Sequence, residues 1–304
     1  PKIFINRKES HLYYLDHIKD NEFYILTNDK SPNFKVLKAD LSTNSDLDIM
    51  EVVVDHDNDV YINTVIHFKN YLGLEIRYNG LPELSIINLE TQERHAIEFD
   101  DNAYDVEFAF NNNITEPVFN YSYSSLTTPN SIYSYDLKDS ISNLLWEKEI
   151  LGFDKLNFKD QRFFIEARDG IKVPVITIAR SDTDISSAPI LFYGYGSYGI
   201  NIDASFRSTL IPLLNRGFVF SIINIRGGGE MGKHWYEDGR MLNKMNTFND
   251  FNDGVRAVLK IGIGDSKNVF ARGGSAGGLL MGAIINIEPN LYKGILSGVP
   301  FVDV

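Results

Sequence analysis

Ser275 lies in the stretch Gly273-Gly274-Ser275-Ala276-Gly277-Gly278, directly after the apolar run Asn268-Val269-Phe270-Ala271-Arg272. A serine with glycines two residues before and two after it, between a strand-like run and a helix-forming one, has the pattern of a nucleophile elbow. Small neighbours let the chain turn sharply, so the hydroxyl stands clear and the N–H of Ala276 faces a developing oxyanion. Leu279-Leu280-Met281-Gly282-Ala283-Ile284-Ile285 follows and supplies helix-forming sequence. The competing reading is a glycine-rich strand-to-helix turn with an idle serine; the flanks on both sides favour the elbow.

Acyl transfer at such a serine needs a second oxyanion donor. Gly194-Tyr195-Gly196-Ser197-Tyr198-Gly199 follows an earlier strand-like run, where hydrolases with this elbow place that donor. A tyrosine hydroxyl such as that of Tyr195 can supply it, worth about 3 kcal/mol in the transition state. The same six residues match the dinucleotide fingerprint G-x-G-x-x-G, but Ile200-Asn201-Ile202-Asp203 opens a helix poorly and no acidic residue ends the next strand where a ribose needs one. A nucleotide cofactor is therefore not expected. Arg226-Gly227-Gly228-Gly229-Glu230-Met231-Gly232 lacks the Gly-Lys-Ser/Thr ending of a phosphate loop and reads as a tight loop at a strand's end.

The elbow also needs a base. In α/β-hydrolases the order is serine, then acid, then histidine. All six histidines, at positions 11, 17, 56, 67, 95 and 234, precede Ser275. Asp303 follows the strand after the elbow, but is not expected to be the acid. Losing the histidine alone typically costs on the order of a millionfold in turnover. The 304 residues by themselves are expected not to form a working acyl-transfer site.

Two textures of sequence must position these groups. Up to about residue 150, short β-rich runs alternate with Asn, Asp, Gly and Pro turns, at residues 23–27, 34–41, 60–68, 72–78, 84–89, 95–99, 106–110, 118–123 and 131–137. Leu41, Leu89 and Leu137 close similar segments, each preceded by a proline, and recur every 48 residues. That period, with about four short strands per unit, suits a β-propeller blade. Three such units do not close a propeller, so further blades are expected upstream of Pro1. After residue 152, strand-like runs at 163–167, 173–178, 189–193, 219–225, 269–272 and 294–299 alternate with helical ones at 208–216, 249–260 and after Ser275. This alternation implies an α/β sheet with helices on its faces.

Composition narrows the function classes. The chain is 43% hydrophobic and 23% charged, as expected of a globular protein. No apolar run reaches transmembrane length, and the first seven residues lack the long apolar segment of a signal peptide, so a cytoplasmic location is expected. A formal charge of −12 disfavours nucleic acid and anionic membrane as partners and suits a basic substrate. There is no cysteine, hence no disulfide framework or thiolate metal site. Asp55-His56-Asp57-Asn58-Asp59 begins like a calcium loop, but Val60 stands at its glycine position and Ile66 at its terminal acidic one, so no metal is expected there. The glycosylation sequons at Asn113 and Asn120 carry no weight in a protein that is not secreted.

The chain resembles the prolyl oligopeptidase family of serine peptidases, and within it the oligopeptidase B branch, along nearly its whole length. The likeness is carried by residues 121–129, by Tyr193-Gly194-Tyr195-Gly196-Ser197-Tyr198-Gly199, by Asn224-Ile225-Arg226-Gly227-Gly228-Gly229-Glu230, by Trp235-Tyr236-Glu237-Asp238-Gly239, by Asn246-Thr247-Phe248-Asn249-Asp250 and by residues 273–278. The resemblance implies a seven-bladed β-propeller, with its C-terminal blades in residues 1–150, and an α/β-hydrolase peptidase domain whose N-terminal part occupies residues 151–304. Both are expected to be incomplete in this chain. It implies cleavage of short peptides after arginine or lysine, with Ser275 as nucleophile and the Ala276 N–H and the Tyr195 hydroxyl as oxyanion donors.

The resemblance also associates Asp203 with a basic residue beside the scissile bond, while Ser205 stands where a second carboxylate is expected. The missing acid and histidine are then expected from sequence outside these residues or from a second polypeptide. Rival readings are an esterase or acylaminoacyl peptidase of the same fold, and a non-catalytic remnant or binding fragment.

Overall fold

Three short antiparallel meanders account for the first part of the chain. The computed structural model describes residues 3–40, 42, 46–111, 113 and 115–300; Leu41, Ile114 and Asp303 lie outside them. Two compact units emerge. The first comprises Pro1–Phe99, Val106–Tyr123 and Ser131–Trp146; the second comprises Asp100–Asp105, Ser124–Asn130 and Glu147–Val304.

The first meander runs through β1 (Tyr13–Lys19), β2 (Glu22–Thr27), β3 (Lys35–Asp40) and β4 (Glu51–Val54). A second follows through β5 (Val60–Phe68), β6 (Tyr71–Tyr78), β7 (Leu81–Asn88) and β8 (Arg94–Ala96), and a third through β9 (Tyr104–Phe108), β10 (Val118–Ser125), β11 (Ser131–Asp136) and β12 (Ile141–Glu147). Each is a four-stranded propeller blade.

The 48-residue spacing has a local cause. Asp40, Asn88 and Asp136 end the third strand of successive blades, and each turns the chain with its own side chain. Asp40 Oδ1 accepts the N–H of Ser42 at 2.8 Å, Asn88 Oδ1 that of Glu90 at 2.9 Å, and Asp136 Oδ1 that of Lys138 at 2.8 Å. These are Asx turns, which satisfy backbone donors where the ladder stops. The leucine one position later, Leu89 or Leu137, is the residue the sequence repeat picked out.

Apolar side chains fill the space between blades. Leu26 and Val36 of the first pack with Ile62, Leu72 and Leu74 of the second. Phe68 stacks on Phe119 at 5.2 Å between centroids. In the third blade, Tyr121 and Tyr133 are direct cross-strand partners, stacked at 5.2 Å, and such pairs add to sheet stability beyond area alone.

The second unit is a six-stranded sheet. Its strands are β13 (Phe158–Glu166), β14 (Lys172–Arg180), β15 (Ile190–Tyr193), β16 (Val219–Ile223), β17 (Val269–Gly274) and β18 (Gly294–Gly298), in the order β13-β14-β16-β15-β17-β18. The first two pairings are antiparallel and the rest parallel, the arrangement of an α/β-hydrolase sheet. Two short helices, α1 (Ile211–Leu214) and α2 (Lys233–Glu237), precede the longer α3 (Lys244–Lys260) and α4 (Ala276–Ile287).

Helix α3 buries Phe248, Phe251, Val255 and Val258, the helical spacing of one apolar face. It ends in a Schellman arrangement: the N–H of Ile263 bonds the Val258 carbonyl at 3.2 Å, and that of Gly262 bonds Leu259 at 3.0 Å. Helix α4 buries Leu280, Met281 and Ile284 in the same core, with Phe192, Val219 and Val269 of the sheet.

The segments Asp100–Asp105 and Ser124–Asn130 belong with this sheet unit by their bonds as well. Asn102 Nδ2 donates to the Asp160 carbonyl at 3.2 Å, and Ser124 Oγ accepts the N–H of Phe206 at 3.3 Å.

Candidate active site

Ser275 occupies the junction of β17 and α4, at φ 55° and ψ −116°. A serine at positive φ is strained and persists only where its surroundings dictate it. Here the strand partner helps to dictate it: the Ser275 N–H donates to the Gly298 carbonyl at 2.9 Å, extending the pairing of β17 with β18. The side chain is exposed, and among the described residues its hydroxyl has no hydrogen-bond partner.

The glycines around it serve close approach rather than positive φ, which in this turn belongs to Ser275 alone. A Cβ on Gly273 would fall 2.2 Å from the Gly277 carbonyl oxygen, inside any real contact. A Cβ on Gly277 would meet the Gly194 carbonyl oxygen at 2.9 Å and Tyr195 Cδ2 at 3.4 Å. The first turn of α4 therefore lies directly against the loop that follows β15.

Sheet register brings the two loops together. Strands β15 and β17 are parallel neighbours with Tyr193 opposite Arg272, so both chains leave the sheet at the same end. The carboxyl ends of parallel strands are where open α/β sheets build their sites. Ala276, 1% exposed, opens α4, and its N–H is one of the first-turn amides without an intrahelical acceptor. Tyr195 is half-buried, and among the described residues no partner claims its hydroxyl.

Asp203 lies further along the same segment and is half-buried. The neighbouring Ile202 is held on both sides: its N–H donates to Glu230 Oε1 at 3.0 Å and its carbonyl accepts Asn224 Nδ2 at 2.9 Å. His234 is exposed on α2, edge-on to Trp235. Among the described residues no group of three or more His, Cys, Asp or Glu side chains could hold a metal ion.

Sequence reasoning read residues 226–232 only as a tight loop, and the structure gives their charged ends a larger part. Arg226, 5% exposed, donates through Nε and Nη2 to the two carboxylate oxygens of Asp250 at 2.8 and 2.6 Å. Its backbone N–H bonds Asp250 as well, at 3.1 Å, and Asp169 lies 2.7 Å from Nη2. Burial raises the Asp250 carboxyl, and the fork of donors from Arg226 draws it part of the way back. Asp250 sits on α3, so the pair pins the loop to that helix.

Thr247 Oγ1 is hydrogen-bonded to the carbonyls of Arg226 (2.8 Å) and Gly239 (3.0 Å), and the Gly199 N–H donates to the Gly227 carbonyl at 3.0 Å. A Cβ on Gly227 would strike the Gly196 carbonyl oxygen at 2.2 Å. The loops at residues 194–199 and 226–232 and the end of α2 with Asp238 and Gly239 thus interlock beside the elbow. The signal was present in Asn246-Thr247-Phe248-Asn249-Asp250, but nothing in one sequence says which loop that run grips.

The profile of the prolyl oligopeptidase family matches residues 204–304, and that of its N-terminal β-propeller domain matches residues 1–148. The chain belongs to the prolyl oligopeptidase family. Members similar to it include dipeptidyl aminopeptidase BI of Pseudoxanthomonas mexicana, 39% identical over 253 residues, and protease 2 of Moraxella lacunata, 35% identical over 262. These matches cover 83% and 86% of the chain but only 35% and 38% of the two relatives, so the chain spans little more than a third of their length.

Among solved structures, oligopeptidase B from Leishmania major superposes with a TM-score of 0.90 at 33% identity, over 98% of this chain and 43% of that one. Oligopeptidase B from Trypanosoma brucei, with covalently bound antipain, matches with a TM-score of 0.90 at 32% identity, over the same shares of the two chains. Family and structure agree on propeller blades followed by an α/β-hydrolase sheet.

Proposed function

We propose that these residues carry the nucleophile and oxyanion half of a cytoplasmic serine endopeptidase that hydrolyses short peptides after arginine or lysine. The observation that supports it most is the exposed Ser275 at φ 55°, set between β17 and α4 with the Tyr195 loop packed against the first turn of the helix.

In this reading Ser275 Oγ attacks the scissile carbonyl and its proton passes to a histidine. The carbonyl oxygen, now carrying the charge, is held by the Ala276 N–H and the Tyr195 hydroxyl. Collapse of the tetrahedral intermediate expels the amine, protonated by the same histidine, and leaves an acyl-enzyme that water cleaves by the reverse proton path. Asp203 faces the basic side chain next to the cleavage site. The acid and the histidine come from sequence beyond these residues or from a second polypeptide, and without them the serine keeps its proton. The negative charge of −12 supports a basic substrate.

The test is labelling by a fluorophosphonate. We expect Ser275 to stay unlabelled in the 304-residue chain and to label once a polypeptide bearing the acid and histidine is supplied, with Ser275→Ala abolishing the signal. Labelling of the chain alone at the rate of a complete peptidase overturns the claim of dependence.

A second reading, removal of dipeptides from free amino termini, is favoured by the 39% identity to a dipeptidyl aminopeptidase. An N-blocked peptide with arginine before the scissile bond separates the two, since only an endopeptidase cleaves it.

A further inference from the structure

Lys244 is the first residue of α3, and its ammonium is turned inward. It donates to the Gly196 carbonyl at 2.5 Å and to Ser197 Oγ at 2.8 Å, and lies 5.9 Å from the centre of the Phe248 ring. Among the described residues no carboxylate stands within ion-pair distance of it. Burial alone pushes the amine down to about 8. A lysine taken from water without a counter-ion is a cost to the fold unless its protons are well used.

Here they are used on one short loop. Gly196 and Ser197 directly follow Tyr195, and Gly196 holds a left-handed φ of 65°. The Gly196 carbonyl is also the atom that Gly227 crowds, so its direction is fixed from two sides, by the lysine and by the neighbouring loop. That carbonyl lies in the peptide plane that starts at the Gly196 Cα, so its direction bears on Tyr195 through the φ and ψ of the single residue between them.

We infer that Lys244 is a positioning residue, which sets the Tyr195 hydroxyl for the oxyanion by clamping the Gly196 carbonyl and the Ser197 hydroxyl. This rests on the reading of Tyr195 as an oxyanion donor. A donor that acts on the charged intermediate rather than on the substrate changes kcat and leaves KM nearly alone. A residue acting only through Tyr195 has nothing left to do once that hydroxyl is gone.

The experiment is a double-mutant cycle in the complete peptidase, these residues together with the sequence that supplies the acid and histidine, on a short peptide amide. Tyr195→Phe is expected to lower kcat at least a hundredfold, and Lys244→Met at least tenfold with KM within twofold. The double variant is expected to match Tyr195→Phe alone. If Lys244→Met does not fold, Ser197→Ala removes one of the two acceptors and takes its place, with a smaller fall in kcat that is again lost in the Tyr195→Phe background.

Two results overturn the inference in different ways. Should Tyr195→Phe be harmless, the oxyanion reading falls and the inference with it. Should Tyr195→Phe be costly while Lys244→Met is harmless, or its effect multiply with that of Tyr195→Phe, the oxyanion reading stands and Lys244 has no part in positioning.

Discussion

The guanidinium of Arg226 and the carboxylate of Asp250 meet as a two-pronged pair, 2.8 and 2.6 Å apart, joining a glycine loop to the second turn of the helix beneath it. Asp250 is fully buried, so its loss takes the two-pronged partner from the buried Arg226 and leaves the guanidinium with the half-exposed Asp169. Breaking a buried pair from one side costs about 3–5 kcal/mol. Asp250→Ala is expected to destabilise the sheet unit by up to that amount, since Asp169 still pairs with Arg226, and Asp250→Asn by less, because the amide oxygen still accepts from Arg226. Trp235, 3% exposed and donating to the Asn224 carbonyl, reports the transition by fluorescence in urea once the exposed Trp146 is replaced by phenylalanine.

Strain at the elbow leads to an expectation of opposite sign. A non-glycine residue at φ 55° costs roughly 1–3 kcal/mol, part of which glycine recovers before its own entropy loss is counted. Ser275→Gly is expected to raise the melting temperature of the sheet unit by about 2–4 °C. A lower melting temperature in a scanning calorimeter contradicts it.

Acid should loosen the blade turns in a defined way. The amides of Lys138 and Asp139 hold the Asp136 carboxyl below the usual aspartate value. A carboxyl depressed on folding contributes stability above its unfolded value, and that contribution is lost as pH falls through the lower folded value. The stability difference between wild type and Asp136→Ala is therefore expected to be present at neutral pH and to close below the ordinary aspartate range. Urea midpoints across an acid series measure it, and a difference that does not change with pH rules it out.

For Lys244 the direction reverses. Its folded value of about 8 is below that of a free lysine, so between the two the unfolded chain holds a proton that the folded one does not. Stability relative to Lys244→Met should rise as pH climbs from 8 toward 10.5. The rise should be on the order of 1–2 kcal/mol, allowing for the part of the side chain that solvent screens. Paired denaturant curves at pH 7.5 and pH 10 read it, and a flat difference refutes the burial.

How far the sequence could be read depended on the range of the interactions. Strand β5 coincides with the run expected at residues 60–68, where alternation and turn residues are local signals. Strands β1, β4 and β12 were not expected. β12 exposes every residue along its length, so it shows no apolar alternation, and only its partner β11 makes it a strand.

Helix α3 begins at Lys244, five residues before the expected start at Asn249, because Lys244 and Thr247 are anchored to loops that precede them in the chain. The Ser275 and Tyr195 loops were legible from their glycines. Arg226 with Asp250, 24 residues apart, and Lys244 with Gly196, 48 apart, are long-range pairs that no local pattern announces.

The side-chain turns at Asp40, Asn88 and Asp136 fix where the third strand of each blade stops, while the strand after each turn differs in extent. That last strand has four residues in β4, three in β8 and seven in β12. Successive turns nonetheless lie 48 residues apart, and each interval contains one of these fourth strands together with the first three strands of the next blade. A residue added to a fourth strand therefore moves every later turn by one position unless the joint to the next blade gives one up, so the constant interval belongs to strand and joint together and not to any one strand.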